Sequence, residues 1–145
     1  MPQYRVMVVV DRDNDDCREL KKRLEAIAQG AGLGTKTQDK ANFRAMTRIA
    51  IEELEAWFFG DMDAVRRAYP KVEAGLEHKS AFRDPDGIQG GTAEQLGKLL
   101  RYAHPNGLAK IRAAREIAEH MNPNENRSPS FCAFRDGLLS LLNTE

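Results

Sequence analysis

Five consecutive apolar residues, Val6-Met7-Val8-Val9-Val10, run directly into four aspartates, Asp11, Asp13, Asp15 and Asp16. A largely β-branched run of this kind suits a strand buried on both faces, as in parallel α/β sheets. In open α/β sheets ligands bind at the carboxyl ends of strands. Carboxylates packed this closely repel one another, and a fold accommodates them best around a positive charge. A hard divalent ion such as Mg²⁺ prefers carboxylate oxygens and water.

The four aspartates divide by position. Asp16-Cys17-Arg18-Glu19 fits a capping box, which assigns Asp16, together with Asp15, to the start of a helix. Asp11 and Asp13 stand two apart on the strand exit, where an extended backbone points both side chains the same way. They are the candidate metal ligands. Solvation of a turn is the competing reading of the same pair.

The chain has 145 residues, enough for one domain with a real core. Its formal net charge is zero, which argues against a strongly basic nucleic-acid binder but leaves a local basic face open. No apolar run reaches the roughly 18 residues of a membrane-spanning helix. Met1-Pro2-Gln3-Tyr4-Arg5 leads straight into the strand, so no signal peptide is read and the expected location is cytoplasmic. Cys17 and Cys132 are expected to be reduced, half-buried thiols. His78, His104 and His120 lack ligand spacing, so zinc is not expected. Neither a Gly-rich phosphate loop nor a nucleophile elbow is present.

Further along, the spacing predicts a helix over 17–29, with Cys17, Leu20, Leu24, Ile27 and Ala28 on one face. A second strand is predicted over 43–51. It runs into a helix over 52–59 that buries Leu54, Trp57 and Phe58. Glu52, Glu53 and Glu55 then sit in that helix's first turn, where the macrodipole favours them. The alternative is that one of them reaches the strand-end site. The single Trp and its Phe neighbours read as core. Asp61 caps a predicted helix over 62–69. Arg83-Asp84-Pro85-Asp86-Gly87 reads as a surface turn, with the alternative that Arg83 and Asp84 face an active site.

Thr92-Ala93-Glu94-Gln95 reads as another capping box, before a helix carrying Leu96, Leu99 and Leu100. A helix over 108–121 is predicted with Ile111, Ala114, Ala118 and Met121 inward. Its outer residues Lys110, Arg112 and Arg115 form a solvated face or one that meets phosphates. Ser128-Pro129 starts the last helix, with Phe131, Phe134, Leu138, Leu141 and Leu142 as its apolar stripe. The expected class is therefore α/β, a Rossmann-like parallel sheet flanked by helices, with a helix-rich C-terminal half.

Four segments in order carry a resemblance: Val8-Val9-Val10-Asp11-Arg12-Asp13, Asp16-Cys17-Arg18-Glu19-Leu20-Lys21, Ile49-Ala50-Ile51-Glu52-Glu53-Leu54-Glu55-Ala56-Trp57-Phe58, and Arg127-Ser128-Pro129-Ser130-Phe131. Together they resemble the domain-of-unknown-function family numbered 4276 over nearly the whole chain. That family is similar to Toprim domains, the fold shared by topoisomerases, primases and nucleases of the overcoming-lysogenization-defect type. The resemblance implies a Toprim-like sheet with a Mg²⁺ or Mn²⁺ site, and nuclease effectors working beside an ATPase partner in phage defence. It makes Asp11 and Asp13 the Asp-x-Asp metal ligands, with Glu53 chosen as an additional acidic group.

In the family a first strand and helix bearing an early glutamate precede the Asp-x-Asp strand. Here Asp11 follows Met1 by only ten residues, and the expectation is an N-terminally short form. Its first strand would keep an exposed edge, so self-association into a homo-oligomer is expected.

Two function classes follow. One is a Mg²⁺-dependent phosphodiester hydrolase acting on nucleic acid, with Asp11 and Asp13 on the metal and Arg12, Arg48 or Arg83 steadying the substrate phosphate. The other is a non-catalytic member that binds a partner protein such as the ATPase.

Overall fold

A computed structural model describes residues 4–143. Strand β1, Val6–Asp11, leads through a short acidic turn into helix α1, Cys17–Gly30. Asp16 caps that helix, its side chain accepting from the backbone N–H groups of Arg18 and Glu19. Asp15 instead pairs with Arg23 at 2.9 Å. The chain returns as β2, Ala45–Ala50, parallel to β1 in a register that runs from Val6 opposite Ala45 to Asp11 opposite Ala50. The loop before β2 adds a parallel bridge from Thr35 to Ala45.

Helices make up the second half. They are α2, Ala56–Phe59; α3, Met62–Ala68; α4, Thr92–Leu99; α5, Lys110–Ala118; and α6, Pro129–Leu142. Single 3₁₀ turns at Leu76–His78 and Pro85–Gly87 punctuate the long connection before α4. The result is a mixed α/β fold with a parallel two-stranded sheet flanked by helices. Both α1 and α6 pack on β2.

The core forms three clusters. The largest lies among α2–α5 and buries Phe58, Phe59, Met62, Val65, Tyr69, Leu96, Leu100 and Ile117. A second, Ala50, Ala56, Trp57 and Phe131, ties the sheet to the helical half. Trp57 meets Phe131 edge-on and stacks on Phe134, while its indole N–H donates to Ser130 Oγ at 2.9 Å. The third holds Phe43, Met46 and Leu141, with Met7 packed beside them. Trp57 and both phenylalanines after it are core, as read from the sequence.

Several expectations need correction. β1 is not buried on both faces. It is an edge strand, and Val9 remains 37% exposed because β2 is its one strand neighbour among the described residues. The segment before α2 does not begin a helix at Glu52, where the backbone is left-handed (φ 63°); helix starts only at Ala56. Leu54 is accordingly exposed. On α5 the buried face is Ala113 and Ile117, and Ile111 is 73% exposed. Ile27 and Leu142 are also exposed, so the apolar stripes of α1 and α6 are narrower than their spacing implied. Cys17 and Cys132 are free thiols of intermediate burial.

One ion pair sets a pH dependence. Arg66 holds Glu77 through two bonds of 2.8 Å, with both side chains well covered. Hydrogen bonding by Arg66 lowers the Glu77 carboxyl from 4.5 to about 2. A depressed acid stabilises the fold above its ordinary value and loses that contribution as pH falls through the folded value. Glu77→Gln is therefore expected to cost about 1–2 kcal/mol near neutral pH, after discounting for solvent screening. In urea titrations the gap from the wild type should close as pH drops from 4.5 toward about 2. A gap that persisted unchanged would remove the ion pair as its cause.

Candidate functional site at the strand ends

Because Asp11 lies opposite Ala50, the two strands stop together, and their exits stay bonded for two more residues. Arg12 N–H donates to Ala50 O, and Asp13 N–H donates to Glu52 O at 3.2 Å. Asp13 (φ 50°) and Glu52 (φ 63°) are the two non-glycine residues with left-handed backbone among those described. Aspartate tolerates this region better than glutamate does. Both turns expel their chains sharply and hold the carboxylates of the two exits side by side.

The acidic groups are not equivalent. Glu52 forms an ion pair with Arg12, whose Nε is buried without a hydrogen-bond partner. Glu53 reaches across to the start of α4. Its Oε2 accepts from Ala93 N–H at 2.8 Å and from the Thr92 hydroxyl at 3.2 Å. The capping box expected at Thr92 is thus replaced. Gly91 precedes the helix without a side-chain cap, and Glu53 supplies the acceptor from a distant segment. Glu55 is buried and lies 3.3 Å from Lys110 Nζ, which is also 3.9 Å from Glu53.

Asp11 sits within this set. Its carboxyl is raised above the ordinary value by burial, then by the charges of Glu55, Asp13 and Glu53, against a hydrogen bond from Leu54 N–H that lowers it. Burial acts to lower the Lys110 ammonium, but the charges of Glu55, Glu53 and Asp11 outweigh it and leave it raised. Three carboxylates, Asp11, Glu53 and Glu55, thus act on one ammonium, and Asp13 adds its charge beside Asp11.

The donor set decides what cation suits the place. Among the described residues no three His, Cys, Asp or Glu side chains gather as a metal-holding group. Glu53 is occupied by the α4 N–H and hydroxyl, and Glu55 by Lys110. Asp13 remains, together with Asp11, which also accepts from Leu54 N–H. Two carboxylates fit an ion that keeps most of its water, as Mg²⁺ commonly does, and do not fit a closed protein cage.

Of the residues singled out in the sequence, Asp11, Asp13, Arg12 and Glu53 meet at or beside the strand exits. Arg48 is placed otherwise. It lies mid-strand opposite Val9, with Nε donating to Ala133 O at 2.8 Å under α6. Arg83 is on the loop before Pro85, where it donates to His78 O. Glu55 enters the sequence reading only as one of three glutamates that could reach the site, and Lys110 only as part of a face that could meet phosphates; neither is chosen there as a site residue. Lys110 carried a signal, since a cation in a helix's first turn opposes the macrodipole and calls for a nearby carboxylate. Glu55 carried none that set it apart from Glu52 and Glu53.

Among the described residues no helix is long and apolar enough to cross a membrane. No curated protein and no solved structure matches the chain. A family model described as "Domain of unknown function (DUF4276)" matches residues 1–139, nearly the full length. The chain therefore belongs to this family.

Proposed function

We propose that the acidic strand ends bind Mg²⁺ or Mn²⁺ and hydrolyse phosphodiester bonds of nucleic acid, in the cytoplasm and in the setting of phage defence. The observation that carries this reading is the gathering of Glu55, Asp13 and Glu53 about the part-buried Asp11, whose carboxyl is held above its ordinary value first by burial and then by those charges, with Lys110 beside Glu55 and Glu53. Asp11 and Asp13 would hold the ion. When bound, such an ion neutralises charge on phosphate oxygens and lowers the pKa of a bound water.

The chain's own groups would do the rest. Lys110, held by Glu55, sets a positive charge near Asp11, where a phosphate oxygen would be drawn. Arg12 adjoins both aspartates in sequence and is turned inward by Glu52. Glu53 acts here as a positioning group, fixing the start of α4, rather than as a ligand. Arg48 and Arg83 would assist a substrate phosphate only where a bound strand extends past the site.

The test is cleavage of plasmid DNA and transfer RNA by the purified chain in Mg²⁺ or Mn²⁺. Wild type should cut, chelation should abolish cutting, and Asp13→Asn should reduce it by roughly a hundredfold or more, since loss of even a ligand's hydrogen-bonding partner can cost that much. Calorimetry should show Mg²⁺ binding that Asp13→Asn weakens. Absence of both cutting and binding would overturn the reading. The second reading, a non-catalytic member docking on a partner such as an ATPase, is favoured by the open edge of β1 with its exposed Val9. It predicts neither cleavage nor metal dependence.

A further inference from the structure

We infer that β1 pairs with β1 of a second copy, antiparallel, to build a continuous four-stranded sheet across a two-fold axis. The backbone supplies the first argument. Val6 N–H donates to Arg44 O and Arg12 N–H to Ala50 O, so even-numbered residues of this parallel ladder turn their amide groups toward β2. Met7, Val9 and Asp11 consequently turn theirs outward. No second strand neighbours β1 among the described residues. An apolar edge of this kind is a template for another chain.

Charge complementarity selects the occupant. The segment reads Arg5-Val6-Met7-Val8-Val9-Val10-Asp11, with opposite charges at its two ends. Paired with itself antiparallel about Val8, it sets Met7 opposite the partner's Val9 and Asp11 opposite the partner's Arg5. All of these are odd-numbered positions, the ones with outward amides. The backbone requirement and the charge requirement thus choose the same register. A shift by two residues sets Arg5 opposite Val9 or beyond the strand end.

Directly opposed side chains in an antiparallel pair lie on one face, so Arg5 and the partner's Asp11 can meet. Arg5 donates to Leu142 O at 2.8 Å. That bond also sets the end of α6 beside the strand. There Leu142 is 56% exposed, and Leu139, one turn earlier, is 53% exposed. Tyr4 adds apolar surface at the strand's start. Each acidic strand end would thereby gain an arginine from the other copy. This inference concerns assembly; it shares Asp11 with the hydrolase reading, and its readout, the state of association, is separate from cleavage and metal binding.

The test is sedimentation equilibrium of the full chain over a concentration series. Wild type should be a dimer. Arg5→Glu and Asp11→Arg should each weaken it by roughly tenfold or more, because two symmetry-related attractive pairs become repulsive. The Arg5→Glu, Asp11→Arg double variant should recover dimerisation. Val9→Pro deletes an outward N–H and no intrachain strand bond, so it should keep the native circular dichroism spectrum and lose the dimer. A chain that is monomeric throughout, even one that takes up a strand from an unrelated protein, overturns the proposal. So does a dimer indifferent to the charge reversals and to Val9→Pro.

Discussion

Gly60→Ala is expected to cost about 3 kcal/mol of stability, combining overpacking with the loss of buried hydrogen bonds. Gly60 follows α2 with an ordinary right-handed backbone (φ −68°), so alanine meets no torsional obstacle there. The obstacle is space. A Cβ would collide with the side-chain amide of Asn126 and lie 2.9 Å from Ser128 N. Asn126 cannot simply swing aside. Its Nδ2 donates to Trp57 O at 2.8 Å, and its Oδ1 accepts from Ser128 N–H at 2.9 Å. Gly60 O accepts from Arg127 N–H in the same joint. Moving Asn126 would strand two buried partners and loosen the start of α6.

Gly137→Ala is the useful comparison. Its Cβ would meet Arg48 Nε and Met46 Sδ, each at 2.6 Å, which are outer atoms of long side chains. Some of that crowding can be relieved by rotation, and a cost of about 1–2 kcal/mol is expected. Urea unfolding of both variants should rank Gly60→Ala as clearly the worse. Equal costs would mean that the Asn126 joint yields as easily as a flexible side chain.

Asp61→Ala is expected to cost about 3 kcal/mol as well, by losing two hydrogen bonds at one buried carboxylate. Oδ1 caps α3 through Ala64 N–H at 3.1 Å, and Oδ2 accepts from Asn122 N–H at 2.7 Å. The first bond is local and the second fastens the loop after α5. Alanine leaves both donors unsatisfied. Asp61→Asn keeps the capping oxygen but turns an NH₂ toward the Asn122 N–H, where two donors oppose each other. It should fall between wild type and alanine, with a loss of about 1–2 kcal/mol. Urea midpoints for the three proteins give the ranking. If asparagine matched wild type, the loop bond would carry none of the stability assigned to it.

The legible part of the fold was local. The β-branched run at Val6–Val10 marked β1, and side chains that cap their own helices marked α1, α3 and α6 through Asp16, Asp61 and Ser128. Such caps act within three residues, so their geometry is contained in a short stretch of sequence. The candidate site was half legible. Asp11 and Asp13 stood out because strand exits and carboxylates coincide there. Lys110 did not, because its relevance depends on α5 meeting a segment more than fifty residues earlier.

Capping at α4 shows the limit of local patterns. Thr92-Ala93-Glu94-Gln95 has the residue types of a capping box, yet the acceptor comes from Glu53, forty positions away. Asp86 is a further case. It lies in what reads as a surface turn, but its carboxylate accepts from Ser128 Oγ at 2.6 Å and from Ser130 N–H at 2.8 Å. It thereby binds the turn to the head of α6.

By itself the sequence determined where backbone conformation changes, since torsional preference, apolar period and local caps are properties of neighbouring residues. Only the tertiary structure decided which carboxylate serves which purpose. Glu52 goes to Arg12, Glu53 to α4, Glu55 to Lys110 and Asp86 to α6, while Asp11 accepts from Leu54 N–H with the charge of Asp13 beside it. Glutamates adjacent in sequence have nearly the same intrinsic chemistry. What separates them is which donors the packed helices bring within about 3 Å, the range over which a hydrogen bond acts.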